Sequence, residues 1–252
     1  MSGRYESVFV ARLTTEQFDA AIKNRPVVIL LPVGAVEPHG PHLPLDTDLI
    51  ISRAAAERAT HALWARDVLA FVAPDVAYGV TTFARDFSGA AGVSADALAA
   101  YLRSVVEGWL ATGVAHVCVV NNHLEPAHDA AVRDAIAPLA HAHASVASPL
   151  TRRWARTLSD EFKRGACHAG EYETSIVQAA DSDSVREAIR RTLPEVDVSL
   201  SDAIARGVDR FVDMGLSRGY AGAPARATPA HGEEMLARLA EMIVGEVTEA
   251  MG

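Results

Sequence analysis

The chain has 252 residues, 50% of them hydrophobic and 22% charged, a globular composition rather than a disordered one. Lys and Arg total 23 against 32 Asp and Glu, a formal net charge of −9, which argues against nucleic-acid binding, since that affinity comes largely from neutralising phosphates. No apolar run approaches the roughly 18 residues that cross a bilayer, the opening MSGRYESVFVARL carries no apolar targeting core, and two Cys cannot build a disulfide framework, so a cytoplasmic protein with no membrane partner is expected.

In chain order, Pro26 to Leu31 (PVVILL) is a continuous apolar run rich in branched residues and reads as a strand buried on both faces, as in a parallel sheet. Leu49 to Trp64 is Ala-rich with helical spacing, Val68 to Ala73 (VLAFVA) reads as a second strand, and Ser94 to Ala111 as a helix with Ser94 at its N-cap. Val114 to Val120 (VAHVCVV) gives a third strand, Glu125 to Ala140 a helix, and Ser145 to Ser148 a short strand. Glu171 to Ala180 and Glu233 to Met251 complete the helices, and the Gly- and Pro-rich stretch 215–232 is either a surface excursion or an active-site lid. Strand and helix in alternation imply an α/β fold, a three-layer sandwich with a mostly parallel sheet flanked by helices, here as one domain over 1–252.

Open α/β sheets bind ligands beyond the carboxyl ends of their strands, which directs attention to two segments. The first strand leads into Glu37-Pro-His39-Gly-Pro-His42-Leu-Pro-Leu-Asp46-Thr-Asp48, the third into Asn121-Asn122-His123-Leu124-Glu125. Glu37 and His39 are two residues apart, as are His123 and Glu125, and in extended chain that spacing puts both side chains on one side. Pro38 and Pro41 keep the first segment out of a helix. Asp48 falls at a helix start, where a carboxylate is favoured and can bridge two cations. Glu37, Asp48 and Glu125 together carry three negative charges, which would repel and take up protons unless a counterion joined them. Imidazole plus carboxylate without thiolate suits Zn, Mn or Fe, and this donor set is enough for two divalent ions with positions left open for water.

A third constellation is Cys167-His168-Ala-Gly-Glu171-Tyr-Glu173. His168 is expected on a loop, with Glu173 either ligating metal or accepting from the His168 ring. Plainer roles compete: Asp46 as a cap or support, His42 as structural or supporting, and Cys118 as core. A Cys167 nucleophile is disfavoured because adjacent residues rarely face one another. The remaining His (61, 116, 128, 141, 143, 231) read as solvated or core, and Arg152, Arg153 and Trp154 as either pocket or surface. No Gly-x-Ser-x-Gly elbow, Walker loop or dinucleotide loop is present.

The run Pro32-Val-Gly-Ala-Val-Glu37-Pro-His39-Gly-Pro-His42-Leu-Pro-Leu-Asp46-Thr-Asp48 resembles the signature of the creatininase family of metal-dependent amidohydrolases. Phe87-Ser-Gly89 with Val93-Ser94, His168-Ala-Gly170 with Glu173-Thr-Ser175, and Gly222-Ala-Pro224 with Ala227-Thr228 and Gly232 resemble its later motifs, Ser88 and Ala223 standing where the family usually has Pro and Asp. His123-Leu124-Glu125 is closer to the His-x-Glu form of creatininase itself, with Leu124 in place of an aromatic and Arg164 in place of a Trp four residues before His168. The resemblance implies Glu37 and His123 on one metal, His39 and Glu125 on the other, Asp48 bridging and His168 as catalytic acid/base. It also implies a homo-oligomer, often a hexamer, that hydrolyses an amide or cyclic amide C–N bond of a small molecule. Arg164 is then a candidate partner for a substrate carboxylate or phosphate. Alternatives are a formamide deformylase, a peptidase of cofactor maturation, or a non-catalytic metal-holding subunit.

Overall fold

In the computed structural model, which describes Tyr5 and residues 7–252, four parallel strands form the central sheet: β1 (Val27–Val33), β2 (Leu69–Val72), β3 (His116–Asn121) and β4 (Ala144–Ala147). Their order is β2-β1-β3-β4. The long helices are α1 (Thr15–Asn24), α2 (Thr47–Ala65), α3 (Ala95–Ala111) and α4 (Pro126–Ile136). Short turns α5 (Arg152–Ala155) and α6 (Asp160–Lys163) precede α7 (Glu171–Ala180), and α8 (Glu187–Arg190) and α9 (Leu200–Ala205) precede α10 (Pro229–Met251).

Every residue of the strands is buried, which is why they read as unbroken apolar runs rather than alternating ones. Alternation decides only which helical layer each side chain meets. Val28, Leu30, Val72, Cys118 and Val120 pack toward α2, α7 and α10. Ile29, Leu31, Phe71, Val117 and Val119 pack toward α3 and α4. The expected α/β sandwich is therefore present, with all four strands parallel. No helix among the described residues is long and apolar enough to cross a membrane.

The elements differ from the sequence reading in places with physical causes. Helix α1 was not expected, yet Phe18, Ala21 and Ile22 form an apolar face packed toward the sheet and its start is marked by a capping box: Gln17 N–H donates to Thr14 Oγ1 at 3.3 Å and Thr14 N–H to Gln17 Oε1 at 2.8 Å. The helix expected to reach Ala140 stops at Ile136. Helix α10 begins at Pro229 rather than Glu233, with Thr228 as its N-cap. Gly232 lies inside that helix because a Cβ there would stand 1.8 Å from the Ser175 carbonyl oxygen, so this glycine allows α10 to touch α7 and is not a loop signal. The preceding stretch is no surface excursion either, since Tyr220 to Pro224 are buried. Of the opening segment MSGRYESVFVARL, residues 1–4 and 6 lie outside the described residues.

Strands β1 and β3 end level, Val33 beside Asn121. Strand β2 lies on one side of β1 and β3 on the other, so the chain reverses direction across the sheet at β1. Ligands of open α/β sheets sit at such a switch point.

Helix α10 closes the layer that carries α2 and α7, and Leu239 is fully buried within it. Leu239→Ala is expected to cost about 2–5 kcal/mol in urea unfolding; a cost under about 1 kcal/mol would show that this layer is not part of the cooperative core.

Candidate active site

The segments after β1 and β3 converge as the switch point requires. Glu37, His39, Asp48, His123, Glu125, His168 and Glu173 are all 7% exposed or less. Asp48 sits in the first turn of α2 and accepts a hydrogen bond from Ala35 N–H at 3.2 Å. That close approach needs Gly34, where a Cβ would fall 2.7 Å from Asp48 Cβ.

Two overlapping donor groups form around Asp48. In one, His123 Nδ1 lies 2.9 Å from Asp48 Oδ2 and 3.4 Å from Glu37 Oε1. In the other, His39 Nε2 lies 3.2 Å from Asp48 Oδ1 and 3.6 Å from Glu173 Oε2. The donor atoms of Glu37, Asp48 and His123, and those of His39, Asp48 and Glu173, each fall within 4.8 Å of one another. Asp48 is common to both groups and presents a different oxygen to each imidazole.

The imidazoles are held with their free nitrogens inward. His123 Nε2 is 2.7 Å from the Val80 carbonyl and His39 Nδ1 is 3.1 Å from the Glu37 carbonyl, so both of these nitrogens donate. In the neutral rings His123 Nδ1 and His39 Nε2 therefore carry the lone pair, and His39 Nε2 is buried without a hydrogen-bond partner among the described residues. A lone pair aimed into a cluster of carboxylates, its ring fixed by a backbone carbonyl, is the arrangement of a metal ligand. The donor set therefore fits divalent cations.

Glu125 is placed differently from the pairing that the resemblance implied. Its Oε1 accepts from Thr82 N–H at 3.1 Å and from the Thr82 hydroxyl, and its Oε2 accepts from Phe83 N–H at 3.1 Å. Three donors on the loop after β2 draw this carboxylate aside, and Glu173 stands beside His39 and Asp48 instead. Glu173 does not hydrogen-bond the His168 ring; its Oε2 accepts from Ala169 N–H at 2.7 Å. The loop after β2 also supplies Thr81, whose hydroxyl donates to Glu37 Oε2 at 2.5 Å. Thr81 and Thr82 escaped the sequence reading, although their position after a parallel strand was a usable signal.

Electrostatics follows from burial and proximity. Burial opposes protonation of His39 and His123, but the surrounding carboxylates, Asp48 then Glu173 for His39 and Glu37 with Asp48 for His123, outweigh it and push each pKa up to about 10. Burial would raise Asp48, yet the two imidazoles hold it far below the carboxylate range. Burial lifts Glu173 to about 8, against the pull of His39, and lifts Glu37 too. The cluster thus retains protons wherever cations are not present to replace them.

His168 stands over the cluster. Its Nε2 is 3.0 Å from the Pro38 carbonyl and donates to it. Its Nδ1 is 3.7 Å from Glu37 Oε1, and its ring lies 4.5 Å from the rings of both His39 and Phe211. Burial, reinforced by His39, holds its pKa well below the ordinary value, so the ring is neutral.

The loop carrying His168 is pinned by a residue the sequence reading passed over. Glu161 is 4% exposed, and its carboxylate accepts from Tyr172 N–H and Ala223 N–H, both at 2.7 Å. It thereby caps the amino end of α7 and ties it to the segment whose Ala221 N–H donates to the His168 carbonyl at 2.8 Å. A Cβ on Gly222 would lie 2.1 Å from Glu161 Oε1, so the buried stretch 220–224 backs the His168 loop rather than acting as a lid. The only sequence hint was a Glu seven residues before His168, with no periodicity to mark it.

The other candidates take plainer roles. His42 Nε2 hydrogen-bonds Thr174 Oγ1 at 2.8 Å behind the cluster. Asp46 holds the N-cap position of α2 but makes no side-chain cap. His116 is buried in β3 between the Ala142 carbonyl and Ser145, and His128 accepts from Val80 N–H at 3.2 Å and packs edge-on against His123. Burial raises the Cys167 pKa and keeps it a thiol, which removes it as a nucleophile. Trp154 donates to Glu246 and Arg153 pairs with Glu249, both on α10.

A cavity of about 220 Å³ opens over the cluster, walled mainly by Phe83, Leu124, Phe162, Ile204 and Phe211. Lys163 lines it and the neighbouring Arg164 does not.

A profile of the creatininase family (creatinine amidohydrolase) matches residues 11–247. The chain belongs to the creatininase family. It is 30% identical over 221 residues to the mycofactocin precursor peptide peptidase of Mycolicibacterium smegmatis, covering 84% of this chain and 81% of that protein. It is 26% identical over 125 residues to the creatinine amidohydrolase of Pseudomonas putida, a match that spans 48% of this chain and only 46% of that enzyme. Among solved structures, a creatinine amidohydrolase superposes with a TM-score of 0.75 at 21% identity, covering 97% of this chain and 98% of that one. A protein described as a creatinine amidohydrolase from Bacteroides fragilis superposes at 0.77 and 22% identity, with 98% and 97% covered. These likenesses agree with the three-layer architecture.

Two predictions follow from the geometry. An imidazole raised from 6.5 to about 10 contributes stability that is complete below about pH 6.5 and is lost as pH climbs toward 10. A carboxyl raised from 4.5 to about 8 acts in the same direction. Chelator-treated protein should therefore melt progressively lower from about pH 6.5 to 9, while stabilisation by added Mn²⁺ grows over the same range because bound ligands are deprotonated. An equal Mn²⁺ shift at both ends would contradict the assignment of these groups. Separately, Glu161→Ala leaves two buried backbone donors unpaired and should cost roughly 2–4 kcal/mol in denaturant titration.

Proposed function

We propose that this protein hydrolyses a C–N amide bond with the help of two divalent cations held around Asp48. The observation that carries the reading is the pair of donor groups sharing Asp48, each with one imidazole turned lone-pair-inward by a backbone carbonyl. Glu37, Asp48 and His123 would hold one ion and His39, Asp48 and Glu173 the other, with Glu125 beside them on Thr82 and Phe83. Zn, Mn and Fe all suit this set. Such ions supply positive charge that acidifies water and stabilises a developing oxyanion.

The chain's own groups do the rest. His168 is neutral, its ring oriented by the Pro38 carbonyl, with Nδ1 facing the cluster. It takes a proton as water adds to the amide carbon and returns it to the nitrogen as the C–N bond breaks, yielding a carboxylic acid and an amine. Thr82 and Phe83 fix the Glu125 carboxylate at the cavity floor. The apolar wall excludes competing water from the substrate. The names carried by its relatives, a creatinine amidohydrolase and a peptide peptidase, support amide hydrolysis as the shared chemistry. The apolar lining favours a linear amide bearing an apolar group over a small polar ring.

His123→Ala should lose bound metal and activity together. His168→Ala should keep two metals per chain while turnover falls roughly 10²–10⁴-fold. Elemental analysis alongside amide hydrolysis checks both; full metal content in His123→Ala, or full turnover in His168→Ala, contradicts the reading.

A further inference from the structure

The cavity is strongly asymmetric in chemistry. Its floor is the acid–imidazole cluster and its walls are almost wholly apolar. At about 220 Å³ it falls below the roughly 300–1,000 Å³ of sites that hold drug-sized ligands, so it accommodates one residue-sized group. Lys163 is the single Lys or Arg among its lining residues. That side chain is 44% exposed, and its Nζ rests 3.3 Å from Asp160 Oδ1, a carboxylate 89% exposed. An ion pair so open to water contributes little, so the ammonium can leave Asp160 for a better-placed anion.

The chain path orients the substrate. Phe162, Lys163, Gly165, Cys167 and His168 line one wall in succession, and Phe211 lies against the His168 ring. His168 is the group that returns the proton to the departing nitrogen, so this wall faces the amine side of the scissile bond. Leu124 and Phe83 flank Glu125, and Phe83 packs edge-on against Phe211 with ring centroids 6.1 Å apart, so the acyl side is assigned to the Leu124 end of this aromatic surface.

We infer that the substrate's departing amine carries an apolar side chain and a carboxylate, the side chain lying against Phe162 and Phe211 and the carboxylate reaching Lys163. The substrate class is thus an N-acylated apolar α-amino acid, as a small conjugate or as the last residue of a peptide. Lys163, and not Arg164, is the residue that selects it. The inference rests on the hydrolase reading above for the direction of cleavage, but the anion-reading role of Lys163 can be measured without turnover.

Manganese-loaded protein would be given N-acetyl-L-phenylalanine and N-acetylphenethylamine, which differ only by the carboxylate. The acid should be preferred at least about tenfold in kcat/KM, the scale of one charge-assisted hydrogen bond. In Lys163→Met that preference should fall to near one, mainly through KM, and in Lys163→Glu it should reverse. In parallel, binding of 3-phenylpropanoate, which has no bond to cleave, would be followed by calorimetry and should weaken at least about tenfold in Lys163→Met. Equal use of acid and amine by the wild type, or phenylpropanoate binding that ignores Lys163, overturns the inference while amide cleavage stands. Lys163-dependent binding with neither compound cleaved upholds the anion subsite and overturns the hydrolase reading instead.

Discussion

Three buried carboxylates that meet within 3.6 Å of two imidazoles dominate this structure. Taking Glu37, Asp48 and Glu173 out of water is expensive, and the two imidazoles offset it only by holding protons far above their usual range. Much of the surrounding fold follows from that constraint. Gly34 admits Asp48 to the end of β1, backbone carbonyls turn both rings, and threonines after β2 collect the remaining carboxylate oxygens. A cluster this costly has the donor set to exchange its protons for cations.

Much of this was legible in the sequence, because parallel strands announce themselves as unbroken apolar runs and because Glu–His pairs two residues apart are uncommon except where both side chains must face one point. The four strands and the helices α2, α3, α4, α7 and α10 were all visible from Ala-rich or amphipathic spacing. What was not legible depended on contacts between segments distant in the chain. Glu161 binds backbone amides more than ten residues away, at Tyr172 and Ala223, and no local pattern records that. Gly232 looked like a loop breaker because sequence does not show that a second helix passes against it. Glu173 was legible only as a ligand or a partner of His168: both Glu125 and Glu173 are Glu near a His, and only the loop at Thr82 and Phe83 decides which one stands beside His39.

Membership of the creatininase family sets the chemistry more firmly than the substrate. Leu124 and Arg164 stand where the resemblance to creatininase itself implies aromatic side chains, and the cavity, which Leu124 lines and Arg164 does not, is apolar with Lys163 among its lining residues. The fold agrees with the family; the cavity walls are this chain's own.

The hydrogen bond from His168 to the Pro38 carbonyl joins the proton-handling ring to the very tripeptide that carries Glu37 and His39. The His168 ring and the donor cluster are therefore mechanically one body, and neither can be moved alone. Helix α9 and Lys163, by contrast, contribute wall and rim, while Glu161 of α6 belongs to the anchored side. A change of specificity therefore has freedom at that wall and rim and almost none on the anchored side of the molecule.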